Sequence, residues 1–324
     1  MKTGIKMTED KMMRKYLFLA AALVSLAACT SRLETDIPEA NMTLIAKTES
    51  PADTRTVVEG ETHVYWEPGD EIAVFSGGQK GVFYAEISKP SDTAPFRGYL
   101  ENGSDGSGMD LWAVYPYSWD ASYENERITT VLPARQEARP ASFGRETNLA
   151  IAHSSTGTLQ FYNVGGGVRF SVQEDGIREV VFQGMDGEIL AGKVQIGFQD
   201  GRPAVLDVLE GKCAITLTPP YGQTFIKDTW YYFVALPGAL EKGFVLDFFK
   251  ENEHGGRVFD KSVTLKRSIY GTLTHADEGL AYSDCPDGVI TFKDSQVKSI
   301  LVRHFDLDND GRISVHEAAV VRSF

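Results

Sequence analysis

The chain has 324 residues, of which 42% are hydrophobic and 24% are charged, and its formal net charge is −13 at pH 7. This length is enough for a sizeable core and exceeds what one ordinary domain needs. The acidic charge argues against nucleic acid or an anionic membrane surface as a partner, because both are themselves negative.

The amino terminus carries an export signal. A basic segment, residues 11–15, precedes an apolar run from Tyr16 to Ala28 that is too short to span a membrane. The run ends in Leu26-Ala27-Ala28-Cys29, which resembles a bacterial lipobox. The resemblance implies a signal peptide over 1–28, a lipidated Cys29 that anchors the protein in the outer membrane at the cell surface, and a tether over 29–40. The alternative is an ordinary signal peptide with a chance cysteine.

From residue 41 to about 280 the pattern predicts short strands. The apolar runs are too short for helices, are rich in Val, Ile, Tyr, Phe and Trp, and are separated by Gly, Pro, Asp and Asn. Such a pattern favours antiparallel β-sandwiches over a parallel sheet. The predicted strands are Met42–Lys47, His63–Trp66, Ile72–Phe75, Val82–Ile87, Leu111–Tyr115, Ile128–Leu132, Leu159–Tyr162, Val168–Val172, Val180–Phe182, Ile189–Ile196, Ala214–Leu217, Tyr231–Leu236 and Phe244–Phe249.

Length and composition divide this region into two predicted domains. Three glycines, 165–167, mark a boundary between sandwiches over 41–165 and 166–282. Residues 283–288 separate a small carboxy-terminal unit, 289–324. Cys213 and Cys285, the cysteines after Cys29, fall in segments assigned to different units; they either form a disulfide or remain free thiols.

Residues 306–317 match the twelve-residue calcium loop of an EF-hand. Glycine at position 6, Gly311, allows the sharp turn that the loop needs. An all-oxygen ligand set selects Ca²⁺ over zinc or copper. The predicted ligands are the carboxylates of Asp306, Asp308, Asp310 and Glu317, the carbonyl of Arg312, and the hydroxyl of Ser314 or a water bound to it. The alternative is an acidic surface turn that matches by chance.

Helices are predicted on both sides of this loop. Asp294-Ser295 is a capping signal for a helix over 296–305, with Val297, Ile300, Leu301 and Phe305 on one face. A second helix is expected over 316–322. Ile313 usually pairs with a second loop, and the sequence shows no second loop, so we expect its partner to be missing or to lie outside this chain. We also expect the unit to lie at the distal end of the β region.

No set of residues indicates an enzyme. The six histidines are scattered without a zinc-binding spacing, and His304 and His316, which flank the loop, are expected to face solvent. Carboxylate pairs such as Asp70-Glu71 are interpreted as exposed turn residues at the start of a strand, because a pair alone says nothing about acid–base chemistry. The aromatic residues either line a sugar-binding face or fill the core between sheets.

Several segments, in their order along the chain, resemble fimbrillin-like proteins, which are surface lipoproteins and pilus subunits of Gram-negative anaerobes. The resemblance covers about residues 41–280. The segments that carry it are Trp66-Glu67-Pro68-Gly69-Asp70-Glu71-Ile72-Ala73-Val74-Phe75, Tyr115-Pro116-Tyr117, Leu132-Pro133-Ala134-Arg135-Gln136, Leu159-Gln160-Phe161-Tyr162-Asn163 and Tyr231-Tyr232-Phe233-Val234-Ala235-Leu236-Pro237.

The resemblance implies two transthyretin-like β-sandwiches and assembly by strand addition between subunits. In that scheme an arginine-specific cut follows the first strand, and Arg55 is the matching position. The alternative is an exposed loop arginine in a relative that does not polymerise. Residues 289–319 also resemble a calcium unit that precedes leucine-rich repeats in large surface proteins of the same bacteria.

The sequence therefore predicts a mainly β, non-enzymatic surface lipoprotein with two sandwiches and a helix-loop-helix EF-hand unit that binds Ca²⁺. Its expected role is adhesion or pilus assembly, with other fimbrial subunits or host ligands as partners. The alternative is a carbohydrate-binding surface protein of a glycan-uptake system.

Overall fold

The structure is a computed structural model that describes residues 39–49, 64–101, 106–307 and 310–321. This part of the chain is mainly β, with several sheets and two short helices near its carboxy-terminal end, which confirms the predicted mainly β class. No helix in these ranges is long and apolar enough to cross a membrane.

The first half of the chain forms twelve strands. They are β1 (Met42–Lys47), β2 (Glu71–Ser76), β3 (Gln79–Ala85), β4 (Thr93–Gly98), β5 (Ser107–Tyr115), β6 (Ser122–Glu124), β7 (Arg127–Leu132), β8 (Arg135–Arg139), β9 (Ser142–Phe143), β10 (Ala150–Thr156), β11 (Thr158–Gln160) and β12 (Tyr162–Asn163).

The second half contains twelve more strands and both helices. They are β13 (Gly166–Phe170), β14 (Glu179–Gly184), β15 (Ala191–Gln199), β16 (Arg202–Lys212), β17 (Ala214–Thr218), β18 (Tyr231–Ala235), β19 (Gly238–Leu240), β20 (Phe244–Phe249), β21 (Glu253–Phe259), β22 (Val263–Leu265), β23 (Tyr270–Leu273), β24 (Ser283–Asp284), α1 (Ser295–Phe305) and α2 (Val315–Ala319).

Local sequence explains how the first sheet begins. Side chains of β1 alternate between buried and exposed, with Met42, Leu44 and Ala46 facing the core, as the two-residue period of a strand requires. Strands β2 and β3 form a hairpin closed by Gly77 and Gly78, both with positive φ, which is the chemistry of a tight two-residue turn.

The first sheet has eight strands in the order β11-β1-β4-β3-β2-β5-β10-β12. Its two edge strands, β11 and β12, flank Phe161 in the sequence, so the sheet curls until one segment completes both edges. Phe161 is buried in a cluster in which it and Phe96 each contact the ring of Trp66 edge-on. This aromatic cluster is part of the buried core of the eight-stranded sheet.

The rest of the β region includes a seven-stranded sheet, β24-β21-β20-β14-β17-β8-β9, and a three-stranded sheet, β18-β13-β23. Phe170 and Phe233 of the smaller sheet belong to one buried cluster with Phe182 and Phe248 of the larger sheet. The burial of these rings holds the two sheets together.

Strand pairing crosses the predicted boundary near residue 165. A four-stranded sheet, β16-β15-β7-β6, pairs β7 with β15, and β8 pairs with β17 in the seven-stranded sheet. One buried cluster also contains Phe75 and Trp112 of the first sheet together with Val194 and Ile196 of β15. The division at residue 165 stays a prediction, but the core is continuous across it.

The sheets are not purely antiparallel. Three pairs, β1 with β11, β13 with β23 and β17 with β8, run parallel. In each pair the strands are far apart in sequence, which gives the chain the long connection that a parallel pair requires. The expectation of antiparallel sheets alone was wrong at these three pairs.

Candidate functional site: an acidic loop docked on a β-sheet

Helix α1 begins at Ser295, one residue before the predicted start, and has the predicted cap. The Asp294 carboxylate accepts hydrogen bonds from the backbone N–H groups of Gln296 (2.7 Å) and Val297 (3.2 Å), which caps the helix. The helix ends at Phe305, directly before the acidic loop.

The predicted apolar face of α1 is only half buried. Leu301 and Phe305 are buried with Ile313, whereas Val297 is 46% exposed and Ile300 is 54% exposed. The four residues were predicted to share one face of the helix; of them, Leu301 and Phe305 are buried and Val297 and Ile300 are exposed.

The Asp306 carboxylate organises the first half of the loop. It accepts hydrogen bonds from the backbone N–H groups of Asp310 (3.1 Å) and Gly311 (2.9 Å). Gly311 has φ +77°, a left-handed conformation that disfavours side chains with a Cβ. Gly311 at position 6 therefore makes the sharp turn that was predicted for it.

The Glu317 carboxylate joins the two ends of the loop. One oxygen accepts the N–H of Leu307 (2.7 Å), and the other accepts the N–H (2.8 Å) and hydroxyl (3.0 Å) of Ser314. The Ser314 hydroxyl in turn accepts the N–H of Glu317, forming a capping box at the start of α2. These contacts place position 12 beside position 2.

Helix α2 is shorter than predicted. It ends at Ala319, and Val320 is buried against the sheet, so the chain turns inward there. The prediction of a helix reaching residue 322 was wrong at this end; residues 322–324 lie outside the described ranges.

The partner of Ile313 lies within this chain. The Ile290 N–H donates to the Ile313 carbonyl (2.8 Å), and the Val315 N–H donates to the Gly288 carbonyl (2.9 Å). Val289 and Ser314 form an antiparallel bridge between these bonds. The expectation of a missing or external partner was wrong, because residues 288–290 occupy the place of a second loop.

The acidic loop is docked on the seven-stranded sheet. Leu307, at loop position 2, shares a buried cluster with Val181, Phe249 and Cys285. The Lys212 ammonium, at the end of β16, donates to the Asp306 carbonyl at 2.9 Å. The expectation of a distal appendage was therefore wrong.

His316 is part of the docking contact. Its imidazole stacks on Phe249, with ring centroids 4.7 Å apart and an interplanar angle of 24°, and it lies 3.4 Å from the Asp287 carboxylate. The expectation of a solvent-facing His316 was wrong because α2 presents this side to the sheet. His304 is exposed, as expected.

The donor chemistry of the loop fits a hard divalent cation. Asp306 is 4% exposed and Glu317 is 8% exposed, and neither carboxylate makes an ion pair with a described residue. Buried carboxylates without a counter-charge are costly, and oxygen ligands suit calcium. Asp310 is instead turned towards the Arg312 guanidinium, 2.8 Å away.

The described residues alone do not complete a metal cluster. Within the described ranges no group of three or more His, Cys, Asp or Glu side chains is positioned to hold a metal ion. The predicted ligand Asp308 lies outside the described residues, as do Cys29 and Arg55. Calcium binding, lipidation and processing at these positions stay predictions.

Asp70 is buried rather than exposed. It is 3% exposed, and its carboxylate accepts the Tyr115 hydroxyl (3.1 Å) and the Glu67 N–H (2.7 Å). Burial raises the pKa of Asp70, although these hydrogen bonds and the nearby Arg145 oppose the rise. The interpretation of Asp70 as an exposed turn residue was wrong, and its network connects two of the segments that resemble fimbrillin-like proteins.

Gln136 has a similar connecting role. Its side-chain amide donates to the Val234 carbonyl (2.7 Å) and accepts the Val234 N–H (3.1 Å). Gln136 therefore connects strand β8 with strand β18. Gln136 and Val234 both lie in segments that resemble fimbrillin-like proteins.

Both described cysteines are free thiols. Cys213 lies partly exposed and donates to the Gly187 carbonyl, and Cys285 is buried in the cluster that contains Leu307. Burial raises the pKa of both thiols. A disulfide between them is not present.

Most of the tryptophans are used structurally. Trp66 and Trp112 are buried. The Arg169 guanidinium carbon lies over Trp230, 4.9 Å from the centroid of the indole ring. Trp119 is 84% exposed. Sequence reasoning did not single out Trp119, and its position within Ser118-Trp119-Asp120, between two strands, is the signal that places it on a loop.

Comparisons with known proteins return two similar structures. No protein-family model and no curated protein match the chain. One similar crystal structure is that of a "putative cell adhesion protein" from Bacteroides ovatus ATCC 8483, with 12% identity, a TM-score of 0.44, and coverage of 75% of this chain and 95% of that chain. Another is a protein of the same description from Bacteroides thetaiotaomicron VPI-5482, with 11% identity, a TM-score of 0.30, and coverage of 70% and 87%. Likenesses this low do not assign a function.

Proposed function

We propose that this chain is a calcium-binding, fimbrillin-like cell-surface lipoprotein that acts in adhesion or surface assembly rather than in catalysis. The proposal is supported by the segments that resemble fimbrillin-like proteins and occur in the same order along the chain. Two of their residues, Asp70 and Gln136, tie separate segments of that resemblance together within the β core. We propose transthyretin-like topology for the two sandwiches on the same grounds.

One observation carries the calcium proposal. Two buried carboxylates, Asp306 and Glu317, stand at opposite ends of one loop without an ion pair to a described residue, and Gly311 makes the turn between them. Asp306, Asp308, Asp310 and Glu317 would hold the ion through carboxylates, Arg312 through its carbonyl, and Ser314 through its hydroxyl or a bound water. A bound calcium ion supplies the positive charge that these groups lack.

The proposed role of calcium is structural. The loop is already held by the hydrogen bond from Lys212 and by the packing of its own Leu307 against the sheet. Neutralising the carboxylates of the loop would therefore stabilise the docked unit. Extracellular calcium modules bind with dissociation constants of about 10⁻⁴–10⁻³ M, which matches calcium concentrations outside cells.

Thermal unfolding of the chain prepared without its predicted signal peptide and lipidated cysteine, called the soluble chain below, tests this role. A ligand at 100 times its Kd stabilises the native state by about 2.7 kcal/mol, so saturating calcium should raise the Tm of the wild-type chain. Glu317→Gln keeps the size of the side chain, removes its charge, and should abolish the rise. Glu251→Gln, at an exposed carboxylate on another loop, is the matched control and should keep it. An equal rise in the Glu317→Gln variant would exclude this loop as the site.

The lipid anchor has its own test. Expression in a Gram-negative host with a labelled fatty acid should label the wild-type chain and place it in the outer-membrane fraction. Cys29→Ser should lose both the label and the membrane fraction. Unlabelled wild-type protein would leave an ordinary signal peptide as the explanation.

Pilus assembly is the finer form of the proposal. Strand β1 lies between β4 and β11, and a strand from another subunit would take its place after a cut at Arg55. Mass spectrometry of surface protein decides between assembly and an uncut adhesin. A product beginning at Thr56 supports assembly, and a chain intact from Cys29 throughout contradicts it.

A further inference from the structure

An exposed tryptophan stands beside a polar groove. Trp119, 84% exposed, lies on the loop between β5 and β6, and its chain neighbours Ser118 and Asp120 line a groove of about 570 Å³. Residues of β7, β15 and β16 also line the groove. Trp119 does not itself line the groove, but both of its chain neighbours do, so its loop forms part of the wall of a cavity large enough for a small ligand.

The loop that carries Trp119 is held rigidly. The Lys80 ammonium donates to three backbone carbonyls of this loop, those of Ser118 (2.7 Å), Trp119 (2.6 Å) and Ala121 (2.8 Å), and lies 5.2 Å from the Tyr117 ring centroid. A half-buried lysine used in this way fixes the backbone of an exposed aromatic residue. A ligand that contacts Trp119 then has little loop entropy to overcome.

The groove is lined by charged and hydroxyl groups. Arg135 and Lys193 make no ion pair with described residues, although the chain as a whole has a net charge of −13. Asp120, Glu210 and Thr130 add hydrogen-bond acceptors and a hydroxyl. Unpaired cations beside polar acceptors suit a ligand that combines anionic groups with many hydroxyls.

We propose that this groove binds an oligosaccharide that carries carboxylate or sulfate groups. Trp119 stacks against the apolar face of a sugar ring, and Arg135 and Lys193 bind the anionic substituents. The inference names a ligand class for the proposed adhesive role and rests on that role. An acidic peptide would use the two cations but would not require a flat aromatic surface beside the groove.

Tryptophan fluorescence titration of the soluble chain tests the proposal. The probes are oligogalacturonate for carboxylates, chondroitin sulfate oligosaccharides for sulfates, a neutral cello-oligosaccharide, and polyglutamate as the acidic peptide. At least one acidic oligosaccharide should bind, more tightly than the neutral one. Isothermal titration calorimetry measures the binding affinity of each probe for variants that lack the Trp119 indole.

Two variants and a control assign binding to the groove. Trp119→Ala should weaken the acidic oligosaccharide about tenfold, and Lys193→Gln should weaken it and reduce its salt dependence. Tyr221→Ala, at a fully exposed aromatic residue that does not line the groove, should change nothing. The proposal is overturned if no acidic oligosaccharide binds, if Trp119→Ala binds as tightly as wild type, or if polyglutamate binds tightest. The calcium and lipidation tests do not depend on these outcomes, so the two proposals fail separately.

Discussion

The Lys212 ammonium donates to the backbone carbonyl of Asp306 at 2.9 Å, joining the end of β16 to the first residue of the acidic loop. Lys212 is 94 positions from Asp306 in sequence, so this bond is a tertiary contact rather than a local turn. It fixes position 1 of the loop from the side of the sheet. The loop is therefore built into the β body, and the proposed binding of calcium there would be linked to the stability of that body.

Leu307→Ala should destabilise the protein by about 3 kcal/mol. Leu307 is 5% exposed in the cluster with Val181 and Phe249, and truncating a buried leucine loses apolar contacts and leaves a cavity. Urea unfolding in the presence of calcium measures the loss. Val297→Ala, on the exposed side of α1, is the control and should change stability by less than about 0.5 kcal/mol. Equal effects of the two variants would contradict the docking contact.

The reactivity of Cys285 should report on docking. Cys285 is 5% exposed and lies in the same cluster as Leu307, whereas the thiol of Cys213, next to Lys212, is hydrogen-bonded to the Gly187 carbonyl and is not part of that cluster. Chelating calcium should speed alkylation of Cys285 and leave that of Cys213 unchanged, because only the first is covered by the calcium unit. Peptide mass spectrometry after timed maleimide treatment gives both rates. A Cys285 rate independent of calcium would show that the metal does not control docking.

Glu49→Gln should cost about 3 kcal/mol. The Glu49 side chain is 2% exposed and accepts hydrogen bonds from Arg267 (2.7 Å) and Ser268 (3.1 Å), which join the segment after β1 to the loop before β23. Removing one partner of a buried pair leaves the other charge uncompensated. Chemical denaturation measures the loss.

The exposed pair of Arg178 and Glu251 is the control for this prediction. Glu251→Gln should change the free energy of unfolding by less than about 1 kcal/mol, because solvent screens such a pair. A similarly small loss in Glu49→Gln would mean that the contact does not stabilise the position of β1.

Asp70 should make stability depend on pH. Burial raises its pKa above the usual value of 3.8, so the folded chain holds this proton more tightly than the unfolded chain does. Its contribution to the free energy of unfolding is therefore fully present below pH 3.8 and is lost as pH rises through the raised pKa. Asp70→Asn cannot titrate. The stability of wild type relative to Asp70→Asn should fall with rising pH in this range, as measured by urea unfolding; a rising difference would contradict the buried environment.

The sequence predicted many of the core strands and missed others, among them β4 and β10, which lie inside the first sheet. Strand β1 was predicted with its observed bounds, because its alternation of apolar and polar residues is determined by one buried face. Strand β16, with eleven residues, was missed entirely. It pairs only with β15 and carries Pro203, Asp207 and Glu210, so its side chains respond to solvent rather than to a core.

The turn of the acidic loop was predictable from the sequence, but the docking of the loop on the sheet was not. Gly311 and Asp306 act within a few residues of each other, so the spacing alone encodes their turn. Docking depends on residues far away in sequence, such as Phe249 beneath His316, which no local pattern reports. The strand-like partner of Ile313 was missed because residues 288–290 are too few to show a strand pattern.

Hydrogen exchange of the whole soluble chain, with calcium and with a chelator, tests the central claim most directly. That claim is that the loop binds calcium as part of the β body. Calcium should slow exchange in residues 306–317, in residues 288–290 that pair with Ile313, and in residues 212–216 beneath the loop. Exchange unchanged in all three segments would contradict calcium binding, and slowing confined to residues 306–317 would contradict the coupling to the sheet.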